Sequence, residues 1–433
     1  METDPARGHC APEGPAPRLA LVADDLTGAA DAAATFAARG FLTVVALGPG
    51  PVPPASVVAR FSGGRDVPEN EATRLTRRAV RSIRAHREPD RWFLKIDSVL
   101  RGHPGPELAT TMAMLGLERA LVCPALPTEG RMVVDGRLLV ADRPLSGSPF
   151  GDATPLVVAD RFRDHVAGTI DHLTLDELVN DPPAVAARLA ALDRGVLVVD
   201  ARSDGDLRRI AEAALSAGPL LLCGSAGLAQ GVAAALAERL SGRLDPPPPR
   251  PRMLSADKPI LVVAGSHHPA TARQIDRLAV TGALVVRPPR LVPDENETSL
   301  GELSRKLATG LAEGRTTVLT AIGCPDVRLG GAAIADRLAR IGGDPRVLEA
   351  AGGLLATGGE AAAAVLRVAG ATALRLGGEV QSAVPWGIMD GGGLSGLPVA
   401  TKAGSFGDDE TLVDCVAFLL GRSPVEASDR ESG

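Results

Sequence analysis

At 433 residues the chain is too long for one ordinary core, since single domains mostly stop growing near ~250 to 300 residues, so two domains are expected. With 45% hydrophobic and 23% charged residues and a formal charge of −6, it reads as a globular protein with no pull toward nucleic acid or anionic membrane, and its substrate is expected to be small. The dispersed Cys10, Cys123, Cys223, Cys324 and Cys415 form no C-x-x-C pair, which excludes a zinc ribbon or disulfide framework and fits a reducing, cytoplasmic setting.

Residues 1–17 carry proline, glycine and charge but no apolar core of a signal peptide, so a disordered tail is expected there. No apolar run reaches the ~18 residues of a membrane span. From Arg18, "RLALVA" reads as a strand, followed by a helix near Gly28 to Arg39, the strand "LTVVAL", a helix near Asn70 to Arg87, the strand "WFLKI" and a helix starting after Pro104. The rhythm continues through "RALVCPA", "GVLVVDA" and "GPLLLCGSAG". Short apolar runs alternating with amphipathic ones imply βαβ units and a parallel sheet.

The stretch "LDPPPPRPRMLSADK", residues 244–258, cannot pack inside an element and stiffens toward polyproline II, which makes it the domain linker. The strand rhythm restarts with "PILVVAG", "GALVVR", "TTVLTAIG" and "ATALRLGGE". The expected fold class is therefore α/β, with two domains that each hold a mostly parallel sheet flanked by helices. The expected boundaries are 18–243 and 259–425, with a further tail at 426–433.

Two stretches of the first half concentrate chemistry. In "LALVADDLTGAADAA" the adjacent Asp24 and Asp25 sit where a strand meets a helix. Asp25 or Thr27 could cap that helix, yet one cap explains only one aspartate. Parallel sheets bind ligands beyond the carboxyl ends of their strands, which is where this pair falls. In "LKIDSVLRGHPGPEL", Lys95, Asp97, Ser98 and Arg101 crowd one strand-to-helix loop, where a carboxylate or phosphate would meet two cations and a hydroxyl; an Asp97–Arg101 pair could instead only order the loop. Lys95 is one of four lysines in an arginine-rich chain, which favours a particular task for its ammonium.

The second half carries glycine-rich turns after three apparent strands, "AGSHH", "ATGGEAAAA" and "TKAGSFGDDE". Glycines let backbone N–H groups approach phosphate oxygens, and a following helix N-terminus adds a favourable dipole. No glycine pattern precedes any lysine in the P-loop manner. The formal G-x-G-x-x-G at Gly391, Gly393 and Gly396 follows no strong strand and opens no helix, so it reads as a loop. His267 and His268 are adjacent rather than one helical turn apart, and no metal-ligand set is read from the sequence. The arginines of "RLTRRAVRSIRAHR" recur at helical spacing and read as a solvated face.

With the blocks "LVADDLTGAADAA", "LKIDSVLRGHPGPEL", "PALPTEGRMVVDG", "CGSAGLA", "VVAGS", "ATGGE", "GGEV" and "TKAGSFG" in order, the chain resembles the four-carbon acid sugar kinase family from about Arg18 to Gly421. The resemblance implies ATP- and Mg²⁺-dependent phosphorylation of the 4-hydroxyl of threonate, erythronate or a 3-oxo-tetronate, with the acid on the first domain and ATP on the second. It implies a substrate site of Asp24 or Asp25, Arg65 of "SGGRDV", Lys95, Asp97, Ser98 and Arg101, and a nucleotide site of Ser266, Gly358, Gly359, Glu360 and Gly404 with Lys402 nearby. One of Asp24 and Asp25 would orient or deprotonate the acceptor hydroxyl, with Asp24 expected to face the ligand and the other carboxylate to cap or support. Donor and acceptor on separate domains imply closure about residues 244–258. A sugar-acid sensor without turnover and a hydroxy-acid dehydrogenase are the other classes considered. No nucleic-acid or membrane partner is expected, and a homo-oligomer is compatible with the sequence.

Overall fold

The computed structural model describes residues 18–422 apart from 49, 51, 87, 145–155, 182, 241–257 and 294–296. The expected tails at 1–17 and 426–433 lie outside the described residues, as does the linker except Lys258.

The first half runs β1 (Leu19–Ala23), α1 (Leu26–Ala37), β2 (Thr43–Ala46), β3 (Val57–Phe61), α2 (Glu69–Arg84), β4 (Arg91–Lys95), α3 (Pro104–Leu115) and β5 (Arg119–Cys123). A separate three-stranded sheet of β6 (Arg131–Val134), β7 (Arg137–Val140) and β8 (Arg143–Pro144) interrupts it. Then follow β9 (Thr169–Leu173), α4 (Leu175–Asn180), α5 (Ala184–Ala191), β10 (Gly195–Val199), α6 (Asp204–Ser216), β11 (Leu221–Gly224) and α7 (Ala226–Arg239). Every residue of β1 and β10 is buried, as expected for parallel strands covered by helices on both faces.

The second half runs β12 (Ile260–Ala264), α8 (Pro269–Val280), β13 (Leu284–Val286), α9 (Glu297–Ala312), β14 (Thr317–Thr320), α10 (Gly331–Gly342), α11 (Pro345–Ala350), β15 (Gly353–Thr357) and α12 (Gly359–Val368). It ends with β16 (Ala373–Gln381), β17 (Val384–Asp390), β18 (Pro398–Lys402) and α13 (Thr411–Leu419).

Both halves are α/β with mostly parallel strands, and their sheets are fused. The fifteen-stranded order is β13-β14-β12-β15-β18-β17-β16-β2-β3-β1-β4-β11-β5-β10-β9. The seam is β2 against β16, antiparallel from Thr43↔Leu376 to Ala46↔Ala373. Each strand would otherwise leave a row of unpaired main-chain groups at a sheet edge. "ATALRLGGE" is thus antiparallel to both neighbours. Only two residues separate β16 from β17, a link too short for a parallel crossover. The Gly391–Gly396 run does follow a strand, β17, contrary to the sequence expectation; it opens no helix and turns the chain into antiparallel β18.

The antiparallel steps β2–β16, β16–β17 and β17–β18 reverse the strand direction between the halves. Right-handed twist of roughly 20–25° per strand rotates the sheet back over that stretch. The carboxyl ends of β1 and β15 consequently face each other, and α1 packs on β16, β17 and α12 of the second half.

Candidate active site

The turn after β1 answers the question of two aspartates. Asp25 is the N-cap of α1, its carboxylate accepting from the Gly28 N–H at 2.8 Å and the Thr27 hydroxyl at 2.8 Å. Arg65, in the loop after β3, donates to both oxygens of Asp24 at 2.7 Å and to Asp25 at 2.7 Å. Burial pushes the Asp24 carboxyl up, and the forked guanidinium opposes that shift. The cap falls on Asp25 as expected, while the exposures differ from the expectation that Asp24 faces the ligand. Asp24 is 2% exposed and clamped, while the capping Asp25 is the carboxylate that reaches both clefts described below.

The loop after β4 is organised by Asp97. Its carboxylate accepts from the Val99 and Arg101 N–H groups and from the Arg101 guanidinium at 3.1 and 2.7 Å, which holds Leu100 at φ 59°. Burial disfavours its ionisation, but Arg101 and Arg65 outweigh that and hold it well below the usual carboxylate range. Lys95, at the end of β4, is buried, and no hydrogen-bond or ion-pair partner approaches its ammonium among the described residues. Ser98 accepts from Arg131 of β6, whose guanidinium also stacks 5.1 Å from the centre of the Phe406 ring in the second half.

These residues line a cleft of about 440 Å³ that brings together Asp25, Arg65, Lys95, Asp97, Ser98 and Arg101. Asp24 does not line it. The same wall includes Thr27, Asp31, Arg131 and Phe406, which sequence reading did not select. Asp31 lies four residues after Thr27, on the same helix face, so helical spacing alone could have found it. Arg131 stands inside a quoted block, yet its contact with Ser98 spans 33 residues and no local pattern announces it.

The three glycine-rich turns follow the adjacent strands β12, β15 and β18 and converge. A Cβ on Gly404 would meet the Ser266 side chain, and one on Gly358, at φ +92°, would lie 3.2 Å from the Ser266 nitrogen. The turn after β15 also reaches across to the first half, where a Cβ on Gly359 would fall 2.8 Å from Asp25 Oδ2 and 3.2 Å from Thr27 Oγ1. His268 caps α8 through its ring, accepting from the Ala270 N–H at 3.2 Å. Lys402 is fully buried, with its ammonium donating to the carbonyls of Ala403 at 2.9 Å and Phe406 at 3.0 Å, so it shapes the "TKAGSFG" loop from behind. Burial lowers it to about 8.

A second cleft of about 750 Å³ lies on the other side of Asp24 and Asp25. Gly359 and Glu360 line it beside Ala332, Ala335, Ala363 and Ala364 of α10 and α12, with Asp66, Asp336 and Arg367 near. Ser266, Gly358, Lys402 and Gly404 line neither cleft. Among the described residues no group of three or more His, Cys, Asp or Glu side chains is placed to hold a metal, and no helix is long and apolar enough to cross a membrane.

Residues 19–232 match the model of a sugar-binding N-terminal domain and residues 261–412 that of a nucleotide-binding C-terminal domain. The chain is 32% identical over 419 residues to the D-threonate kinase of Bordetella bronchiseptica, covering 94% of this chain and 98% of that one. It is 31% identical to the 3-oxo-tetronate kinase of Methylobacterium radiotolerans, covering 90% and 96%. A solved structure from Salmonella typhimurium superposes with a TM-score of 0.72 at 21% identity over 92% of this chain and 98% of that one, a likeness of fold.

Proposed function

Because the chain belongs to the four-carbon acid sugar kinase family, we propose that it transfers the γ-phosphoryl group of ATP to the 4-hydroxyl of a four-carbon sugar acid. One observation carries the reading: a cleft with an unpaired Lys95 ammonium and the Arg65 and Arg101 guanidinium groups is pressed, at Asp25, against the Gly359 turn of the nucleotide-binding half. The cations lining this cleft supply the charge that the substrate carboxylate requires.

In this mechanism Lys95 and Arg101 bind the substrate carboxylate, and Ser98, held by Arg131, donates to or accepts from a substrate hydroxyl. Asp24 fixes Arg65, so that Arg65 and Asp25 keep a fixed geometry toward the acceptor. Phosphoryl transfer relies mostly on positioning and on charge stabilisation, which a prearranged set of cations provides. The turns at Ser266, Gly358–Glu360 and Gly404 hold ATP, with the N-terminus of α12 directed at its phosphates. Mg²⁺ would come with the nucleotide and would supply positive charge to the transferring phosphoryl group. Lys402 acts indirectly, by holding the loop that carries Gly404. The division of labour follows a boundary at 244–258, and because β2–β16 also joins the halves, closure involves that seam as well.

The test is a coupled ADP-release assay with Mg-ATP against D-threonate, L-threonate, D-erythronate, L-erythronate and 3-oxo-tetronate, followed by locating the phosphate in the product. Turnover with one acid to give a 4-phosphate is expected. Silence across the panel while ATP still binds would refute the kinase reading.

A further inference from the structure

Phosphoryl transfer requires the acceptor hydroxyl to lose its proton as its oxygen bonds to phosphorus. Three carboxylates line the first cleft: Asp25, Asp31 and Asp97. Asp25 already accepts from Arg65, Thr27 and Gly28, and Asp97 accepts from Arg101 and two backbone N–H groups. Each such donor stabilises the ionised form and weakens the carboxylate as a base.

Asp31 stands apart. It belongs to α1, an alanine-rich helix of 12 residues in which every other residue is buried, and it alone of that helix is only partly buried. Its carboxylate opens on the cleft, and among the described residues no donor lies within hydrogen-bonding reach of it. An unpartnered carboxylate is costly on a helix that otherwise buries itself completely, so packing gives no reason for it. A polyhydroxy acid held at Lys95 and Arg101 would bring hydroxyl groups to this wall.

We propose that Asp31 accepts the proton of the substrate hydroxyl during phosphoryl transfer, a step that rests on the kinase reading. The hydroxyl oxygen forms the new bond to the γ-phosphorus. The bond from that phosphorus to the β,γ-bridging oxygen breaks, its electron pair leaves on ADP, and the hydroxyl proton moves to Asp31, from which solvent takes it after product departs. Lys95 of β4 and Arg131 of β6 favour the ionised form of Asp31, while Asp25, Glu129 and Glu379 of β16 oppose it. Burial dominates and raises Asp31 to about 6, so it is ionised at neutral pH yet basic enough to serve as a base.

The experiment compares wild type, Asp31→Asn and Asp31→Glu with Mg-ATP and the acid that wild type turns over, from about pH 5 to about pH 9, with ATP affinity measured by calorimetry. Asp31→Asn is expected to lower kcat by ~10²- to 10⁴-fold with ATP affinity unchanged, and to abolish the acidic limb that in wild type falls about tenfold per pH unit below about 6. Asp31→Glu should recover part of kcat and keep the limb. An Asp31→Asn enzyme with kcat within about threefold of wild type, or a slow one that keeps the wild-type limb, overturns the assignment. If Asp31→Asn does not fold, a folded Asp31→Glu enzyme without the limb overturns it instead. A wild type silent on every acid overturns the kinase reading and this step together, which separates the two failures.

Discussion

Replacing Gly359 with alanine tests whether the contact between the two halves is part of the working site. The added Cβ would stand 2.8 Å from Asp25 Oδ2, where ordinary contact begins at 3.4 Å, so turn and carboxylate must part by about 0.6 Å. Asp25 cannot yield cheaply, because Arg65 at 2.7 Å and Thr27 and Gly28 at 2.8 Å hold it. Overpacking of this kind costs about 1–3 kcal/mol. The helix itself would gain, since Gly359 opens α12 without a positive φ and alanine favours a helix over glycine by up to ~1 kcal/mol. Displacing a positioned carboxylate by a fraction of an ångström should lower kcat by ~10- to 100-fold. The coupled ADP-release assay reads kcat and KM, and a thermal melt reads the strain. A variant that melts higher than wild type with kcat within about threefold would refute the contact, because only the helix effect would then remain.

Lys95→Met removes the unpaired ammonium and should raise KM for the acid by ~10- to 100-fold, as expected for loss of a charge-assisted bond to the substrate carboxylate. Lys402→Met should weaken ATP binding in calorimetry while leaving the KM for the acid unchanged, because the loop carrying Gly404 loses its internal donors; unchanged ATP affinity would show that the loop holds its shape without them. Glu107 is buried, accepts from Thr76 at 3.1 Å, and is pushed up to about 8 by burial and then by the charge of Asp24. The native state therefore binds this proton more tightly than the unfolded chain, so stability falls as pH rises from about 4.5 toward about 8. Glu107→Gln keeps the acceptor and should flatten that decline, with a gain on the order of a few kcal/mol above about pH 8; urea melts at several pH values that fall as steeply as wild type would disprove the shift.

Much of the fold is local, and that part was legible. Runs such as "LALVA" and "GVLVV" are apolar at every position because each is buried on both faces, and the alanine-rich stretch after Asp25 can only be a closely packed helix. The cap at Asp25 follows from the same local chemistry, as do the Lys95–Arg101 loop and the glycine turns. Which of the two aspartates faces the first cleft was not legible. Which carboxylate is clamped depends on where each side chain points from the turn, and the clamp, Arg65, is 41 residues from Asp24.

The sequence by itself determined the α/β class and the strand-to-helix turns that carry the candidate site residues, since these depend on periodicity and on residue types a few positions apart. Only the tertiary structure decided that the two sheets are one, that Asp25 rather than Asp24 reaches the first cleft, and that Lys402 supports a loop from behind. It also brought Arg131, Phe406 and Asp31 to one wall. Those outcomes rest on contacts between segments far apart in the chain, whose approach is set by the strand order and the accumulated twist of the sheet.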